Sequence, residues 1–451
     1  MTRLFAAIRK NYFDNTVELS KLSKTFFLWA IGLVFVYVSN IYLTRLLGLE
    51  LYGRYTVFIS WASLISTLLA FGWDGYLTQK IPLLQKNEFG KITSSHLIVK
   101  AVTTFLILYV LFVMLIAGIV HFQKNSFSFL ESGQVPVFLI LGFLFTLITL
   151  LRSFLRIFHI VTKVQWVEDV LKPVILFSII LVYYIYKINL SLSSFYIINL
   201  FVFGAVAVFL LVYSSGVYRK NFITGGSTVI TEKWVRKCFY FMCIFLGYSI
   251  FSRMELLFLG YFSKNEEAAK FQILLRISDM VIIPDFLFNY FLPQKFSYSF
   301  ANNEISEAKI LFRNSSKTVL ALQLVCLAGV SLIGYFYLQS FNIASSEMYL
   351  FLVVMCTAPV FYSLFGSSNL VLKTSGNERY SFYALLIVLI LEAAANYIFI
   401  IPYGLKAAVI ISWSSILFYT LLLSFFLFRE LKFYNNVTRF LFLGTNRSKL
   451  S

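Results

Sequence analysis

Apolar runs of about 20 residues, each long enough to cross ~30 Å of hydrocarbon, recur along the whole 451-residue chain. The runs are continuously apolar. A membrane barrel would instead alternate apolar and polar positions with a period of two, so the pattern predicts helices. Twelve spans are expected, over 25–44, 55–76, 97–121, 135–151, 167–186, 195–215, 238–262, 271–293, 318–339, 348–371, 380–400 and 407–428. The fold class is therefore all-α integral membrane, with twelve transmembrane helices. An even number puts both termini on one side. Residues 1–24 carry Asp14 and Glu18 among five basic residues and run into the first apolar stretch with no small-residue cleavage site. They read as the lead into an uncleaved first span, not as a signal peptide.

The spans divide six and six. A break over 216–237 contains Gly225-Gly226-Ser227-Thr228, and a faint repeat links the halves. Leu77-Thr78-Gln79-Lys80 closes the second span and Leu292-Pro293-Gln294-Lys295 the eighth, an offset of 215 residues. Matching span numbers suggest two parallel six-helix lobes related by an axis along the membrane normal. The expected organisation is an N-terminal segment 1–24, an N-lobe 25–215, a linker 216–237, a C-lobe 238–428 and a basic tail 429–451.

Composition agrees with this reading. Hydrophobic residues make up 59% of the chain and charged residues 13%, with a mean hydropathy of +0.82; soluble proteins average about 25% charged. A water-soluble enzyme, a secreted disulfide scaffold and a disordered tail protein are excluded. The excess of 38 Lys and Arg over 20 Asp and Glu would suggest nucleic acid in a soluble chain. Here it has a topological cause. In the connections on the side of the termini there are 27 basic residues, against 7 in the opposite connections. That asymmetry predicts cytoplasmic termini. Cys238, Cys243, Cys326 and Cys356 lack CxxC spacing and read as small apolar fillers rather than metal ligands or disulfides. His96, His121 and His159 fall at span edges without metal-ligand spacing.

Ionisable residues inside spans cost at least ~2.5 to 3.5 kcal/mol at the membrane centre and normally face a cavity or a partner. Lys100, Lys172, Arg253 and Arg276 are the basic residues so placed. Arg276 and Asp279 are three apart on one face of span eight; Asp285 follows beside Pro284, which is expected to weaken the helix. Arg253 and Glu255, two apart in span seven, point to different faces. The depths of Arg253, Glu255, Arg276 and Asp279 allow one cluster. Glu392, with Asn396 one turn on, is a further deep acid in span eleven. Two readings stand beside each other. In the first, the arginines grip phosphate or acidic sugars through the forked guanidinium, and the acids exchange a coupling ion. In the second, the charges form structural ion pairs, and Glu392 is a protonated acid bonded to a neighbouring helix. Lys100 and Lys172 suit snorkelling at the membrane edge, although Lys172, beside Pro173 and after Glu168-Asp169, could line a mouth on the cytoplasmic side.

The stretch Leu43-Thr44-Arg45-Leu46-Leu47-Gly48-Leu49-Glu50-Leu51-Tyr52-Gly53-Arg54-Tyr55, followed by a span ending Phe71-Gly72-Trp73-Asp74, resembles the opening of the polysaccharide biosynthesis protein family of O-antigen flippase type. Its glycine pair suits a tight turn at the outer surface. Glu255-Leu256-Leu257-Phe258-Leu259-Gly260-Tyr261 and Ile401-Pro402-Tyr403-Gly404-Leu405-Lys406-Ala407-Ala408 are similar to later landmarks of the family. The lipid II flippase branch carries several basic residues in its first two spans, whereas here only Arg45 lies near.

The resemblance implies a flippase that moves an undecaprenyl-pyrophosphate-linked oligosaccharide from the inner to the outer leaflet of the bacterial cytoplasmic membrane by alternating access. It implies two lobes around a central cavity, no catalytic residues and no cofactor beyond a coupling proton or sodium ion. Substrate contacts fall to Arg276, Arg253, Lys172 and Arg45, and the cavity or coupling acids are Asp279, Glu255, Asp285 and Glu392. The implied partners are the lipid-linked oligosaccharide and the bilayer, with a polysaccharide polymerase and chain-length regulator, and no nucleic acid. An ion-coupled multidrug extruder of the same fold is the alternative, although an extruder of cations should favour an acidic cavity. A membrane glycan polymerase or ligase would be expected to carry a large outer loop, and every outer connection here is short.

Overall fold

The computed structural model describes residues 16–84, 88–122, 132–158, 160–221 and 234–434. The first fifteen residues, the Gly225-Gly226 stretch, His159 and the end of the basic tail lie outside the described residues. Helices make up nearly all the rest. They are α1 (Thr16–Leu69), α2 (Trp73–Leu84), α3 (Glu88–Phe122), α4 (Val135–Ile157), α5 (Val161–Gln165), a π-helical segment (Trp166–Leu171), α6 (Lys172–Ile185) and α7 (Leu192–Asn221). Then come α8 (Trp234–Phe251), α9 (Met254–Phe262), α10 (Asn265–Ala301), α11 (Ile305–Ser340), α12 (Ser346–Leu364), α13 (Ser368–Thr374) and α14 (Glu378–Leu431).

Eight helices are long and apolar enough to cross a membrane by themselves. Two of these are double: α1 leaves helical geometry at Gly48 (φ 80°, ψ 164°) and α14 at Gly404 (φ 50°, ψ −129°). Span five is built from α5, the π segment and α6, and span eight from the charged α10. Together these give the twelve crossings of an all-α integral membrane protein among the described residues.

Several local expectations are corrected. Pro284 and Pro293 both lie inside an uninterrupted α10 of 37 residues. The hydrogen bond that each proline removes is tolerated because α9, α11, α12 and α13 pack along the helix and hold it. Of the glycine pair, only Gly48 makes the turn. Gly53 is needed for close approach, since a Cβ there would lie 1.8 Å from the carbonyl oxygen of Asn265. Span two ends at Leu69, and a tight turn through Phe71 and Gly72 starts α2 in a new direction. Span seven is broken at Ser252–Arg253 between α8 and α9.

The helices fall into two compact units, one holding the described residues of 1–48 and 58–246, the other those of 49–57 and 247–451. The core of the first contains Trp73, Tyr76, Phe105, Phe154 and Leu155, and Trp73 stacks on Trp234 with centroids 4.9 Å apart. Gly32 brings α1 against the π segment so closely that a Cβ would overlap the carbonyl of Asp169. In the second unit α10 packs on α11 and α12, and α9 and α13 pack on α14.

Two glycines provide a test of this packing. At Gly72, φ is +71° and a Cβ would stand 2.2 Å from the carbonyl oxygen of Cys238, whereas at Gly118 nothing lies within 4 Å. Gly72→Ala should lower stability by at least ~1–2 kcal/mol for the left-handed backbone alone. Gly118→Ala should be neutral or stabilising by up to ~1 kcal/mol. Thermal unfolding in detergent, followed by tryptophan fluorescence, separates the two.

Candidate functional site

The first unit gathers charge where α2, α4 and the π segment present polar residues. Arg152 and Arg156, read from sequence as connection residues, lie on α4, which extends to Ile157. Arg152 Nη1 is 3.3 Å from Glu168 Oε2. Asp74 and Asp169 are both within electrostatic reach of Arg152 and Arg156, and Asp169 also of Lys172. The pairing is incomplete: Arg152 Nε, Glu168 Oε1 and Gln165 Oε1 are buried without hydrogen-bond partners. The π segment holds Glu168 and Asp169 and is closed by the Lys172 N–H on the Val167 carbonyl, and such segments often occur at functional sites. The Lys172 ammonium lies 5.2 Å from the Phe203 ring centroid.

The second unit holds the other charges in separate groups, so the single cluster allowed by sequence is divided. On α10, Arg276 Nη1 and Asp279 Oδ2 are 3.7 Å apart and both side chains are substantially exposed, at 46% and 40%. Arg253 is close enough to Arg276 for the two cations to act on each other, and Tyr52 is also within reach of Arg276. Arg253 sits in the break of span seven, where its N–H bonds the Ile250 carbonyl at 2.9 Å. Its Nη1 is buried and unpartnered. Non-helical backbone at membrane depth is tolerated where it is buried in protein or lines a cavity, and discontinuous helices of this kind form transporter sites.

Glu255 turns away from Arg253, as their spacing predicts, and meets Glu392. The two carboxyls lie close enough to act on each other, with exposures of 2% and 3%, and Asn396 one turn from Glu392 is fully buried. A hydrogen bond between carboxyls requires one of them to carry a proton and donate it. Glu255 Oε1, Glu392 Oε2 and both polar atoms of the Asn396 side chain have no hydrogen-bond partner. This is a compact set of buried oxygens with unused capacity, suited to a proton or a small hard cation.

Asp285 belongs to a third group. It accepts a 2.7 Å hydrogen bond from Asn289 Nδ2 and is near Tyr362, which neighbours Tyr248 and Tyr419. The Tyr248 and Tyr419 hydroxyls are 2.8 Å apart, Asn369 bonds Tyr248, and the Lys373 ammonium lies 4.6 Å from the Tyr248 ring centroid. Sequence reading missed these tyrosines because a tyrosine in an apolar run has the same signature as an interface anchor. Arg45 is exposed near the end of the first half of α1. Among the described residues no three His, Cys, Asp or Glu side chains are arranged to hold a metal ion, and all four cysteines are free.

Residues 22–291 match the family described as polysaccharide biosynthesis protein. No curated protein matches the chain in sequence. Solved structures share the fold at low identity. An inward-facing multidrug resistance MATE family transporter of the MOP superfamily aligns with a TM-score of 0.65 and 11% identity over 89% of this chain and 95% of its own. The lipid II flippase MurJ, in an inward closed conformation, aligns with a TM-score of 0.63 and 14% identity over 93% and 89%. A MOP superfamily transporter from Pyrococcus furiosus, described by the reverse polarity of its binding pocket, gives 0.60 and 14% over 91% and 95%.

A shared proton in the carboxyl pair is open to test. Glu255→Gln and Glu392→Gln should each leave the thermal midpoint in detergent nearly unchanged, because an amide can replace the protonated partner. Glu392→Leu should cost about 1–3 kcal/mol by leaving Glu255 buried alone. Equal damage from all three would exclude a carboxyl-to-carboxyl bond.

Proposed function

Because the chain belongs to the polysaccharide biosynthesis protein family, we propose that it is a flippase carrying an undecaprenyl-pyrophosphate-linked oligosaccharide, the repeat unit of an O-antigen or other surface polysaccharide, across the bacterial inner membrane. The observation that carries this reading is a pair of neighbouring arginines, one of them with a buried, unpartnered nitrogen: Arg253 Nη1. Arg253 and Arg276 are within electrostatic reach of each other in one unit, and Arg152, Arg156 and Lys172 are within reach of Asp169 in the other. Asp279 offsets one of the two arginine charges of the second unit, which leaves a net positive pair that an anion would stabilise, and guanidinium groups match phosphate oxygens in a two-pronged geometry.

The proposed cycle is alternating access. The 27 to 7 distribution of basic residues supports cytoplasmic termini, so that the charged set on α4 and the π segment meets the head group from the cytoplasmic side. The arginines of the second unit then hold the pyrophosphate during passage, while the polyprenyl tail stays in lipid. Glu255, Glu392 and Asn396 would exchange a proton or sodium ion, and the energy of that ion drives the return of the empty carrier. Release of the glycan on the outer side would hand it to a polymerase and chain-length regulator. The chain itself makes and breaks no glycosidic bond in this scheme.

Two experiments test it. An alkaline phosphatase domain, active only outside the cytoplasm, should be silent when fused after Ser451; strong activity there would overturn the orientation. In a deletion strain complemented with variants, Arg276→Ala should abolish surface glycan and accumulate inward-facing lipid-linked oligosaccharide, measured by mass spectrometry, with the protein still in the membrane. Arg276→Lys should restore only part of the export. Normal export by Arg276→Ala would remove Arg276 from the substrate path. A double variant with Asp279→Ala that recovers both protein level and export would show that the pair serves only itself.

A further inference from the structure

The first unit contains a groove between α3, α4 and α7, with a cavity volume of about 580 Å³. Leu77, Ala101, Phe105 and Phe154 form its floor and are all buried, while Val102 and Leu106 on its rim are 48% and 46% exposed. Its walls are apolar for most of their length. Only the end towards the basic side of the membrane is polar, where Ser214, Ser215, Tyr218 and Arg219 line it.

We infer that this groove binds one acyl chain of an anionic glycerophospholipid from the cytoplasmic leaflet, with Arg219 on the phosphate and the Ser214 hydroxyl on the acyl ester. Length comes first. The groove runs from Ile98 to Leu106 on α3 and from Phe143 to Phe154 on α4, about 12 to 17 Å at 1.5 Å per residue. That is one leaflet of a ~30 Å core, the reach of a fatty acyl chain, and too short for an extended polyprenyl tail.

The polar end supplies the second argument. Arg219 is exposed, and no ion pair engages it among the described residues. Membrane-embedded Ser and Thr normally bond a carbonyl one turn back, as Thr104, Thr146 and Ser215 do here. Ser214 does not. It is 6% exposed and lines the groove, and its hydroxyl has no partner. Ser214 lies five residues from Arg219 along α7, about 7.5 Å deeper in the membrane. A glycerophospholipid offers a phosphate and, one glycerol unit deeper, an ester carbonyl that can accept from a hydroxyl. An isoprenoid pyrophosphate offers no carbonyl at that depth. The cytoplasmic leaflet is also where anionic lipid concentrates. This site is separate from the charged groups described above and stands whatever substrate is carried.

The test uses the full chain in detergent, delipidated and then titrated with phosphatidylglycerol or phosphatidylcholine, with retained lipid counted by native mass spectrometry. Wild type should retain one phosphatidylglycerol about tenfold more firmly than phosphatidylcholine, the effect of one charge-assisted hydrogen bond. Arg219→Ala should erase that preference, and Ala101→Phe should fill the groove and remove retention of both lipids. Because Ala101→Phe can also disturb folding, a phosphatidylglycerol with a photoreactive acyl chain gives a second readout on wild type, with adducts expected on 98–106 and 143–154. Equal retention of both lipids, an unchanged preference in Arg219→Ala, or adducts confined to other helices would overturn the proposal. Displacement of the photoprobe from these helices by undecaprenyl pyrophosphate at lower concentration than by phosphatidylglycerol would assign the groove to a polyprenyl tail instead.

Discussion

Hydrocarbon offers no partner to a peptide N–H or carbonyl, and each unsatisfied group costs several kcal/mol. That constraint makes the chain helical almost throughout and restricts where it can depart from helix. At the Ser252–Arg253 break the Arg253 N–H takes the carbonyl three residues back and the Leu257 N–H returns to Arg253, so the ladder tightens and resumes. In the π segment the Lys172 N–H reaches five residues back to Val167. At Gly404 the Leu405 N–H is taken by the Glu267 carboxylate at 3.0 Å, a side chain from α10 capping the second half of α14. Gly404 is required there, since a Cβ would collide with that carboxylate.

Two of these three departures bring charge into the interior. The break in span seven presents Arg253 towards Arg276 on one side and leaves Glu255, two residues on, to meet Glu392 on the other. An unbroken helix would separate the two side chains by about 200° as well, but it would hold the Arg253 peptide in the ladder instead of at a turn. The π segment carries Glu168 and Asp169, with Lys172 directly after it, so the widened turn and this group of charges fall on the same seven residues. At Arg253 the turn of the backbone and a buried guanidinium thus occur at one residue.

Span number, helical class and the glycine-marked turn at Gly48 were legible in the sequence because each depends on local composition or on one permissive residue. The position of Arg276, Asp279, Asp285 and Glu392 within long helices was legible for the same reason. Their grouping was not. Glu255 and Glu392 are 137 positions apart in the chain, and nothing in either neighbourhood points to the other. Arg152 and Arg156 were hidden by a different effect, since hydropathy ends span four at 151 while the backbone continues to Ile157. Gly53 illustrates a third limit: its pairing with Gly48 suggests a turn, yet its role is contact with Asn265, which only the packed unit displays.

The incomplete pairing at each site bears on mechanism. A charge network whose only task is structural should satisfy its buried atoms, because a half-satisfied network is less stable than an apolar core of the same shape. Here Arg152 Nε, Glu168 Oε1, Arg253 Nη1, Glu255 Oε1, Glu392 Oε2 and the Asn396 amide are all left without partners. The leucines and phenylalanines that fill the rest of both units would pack these positions at lower cost. Unsatisfied polar atoms are thus found in both units, on an arginine in one group and on two acids and an amide in another, and these are the positions at which a polar ligand has most to gain.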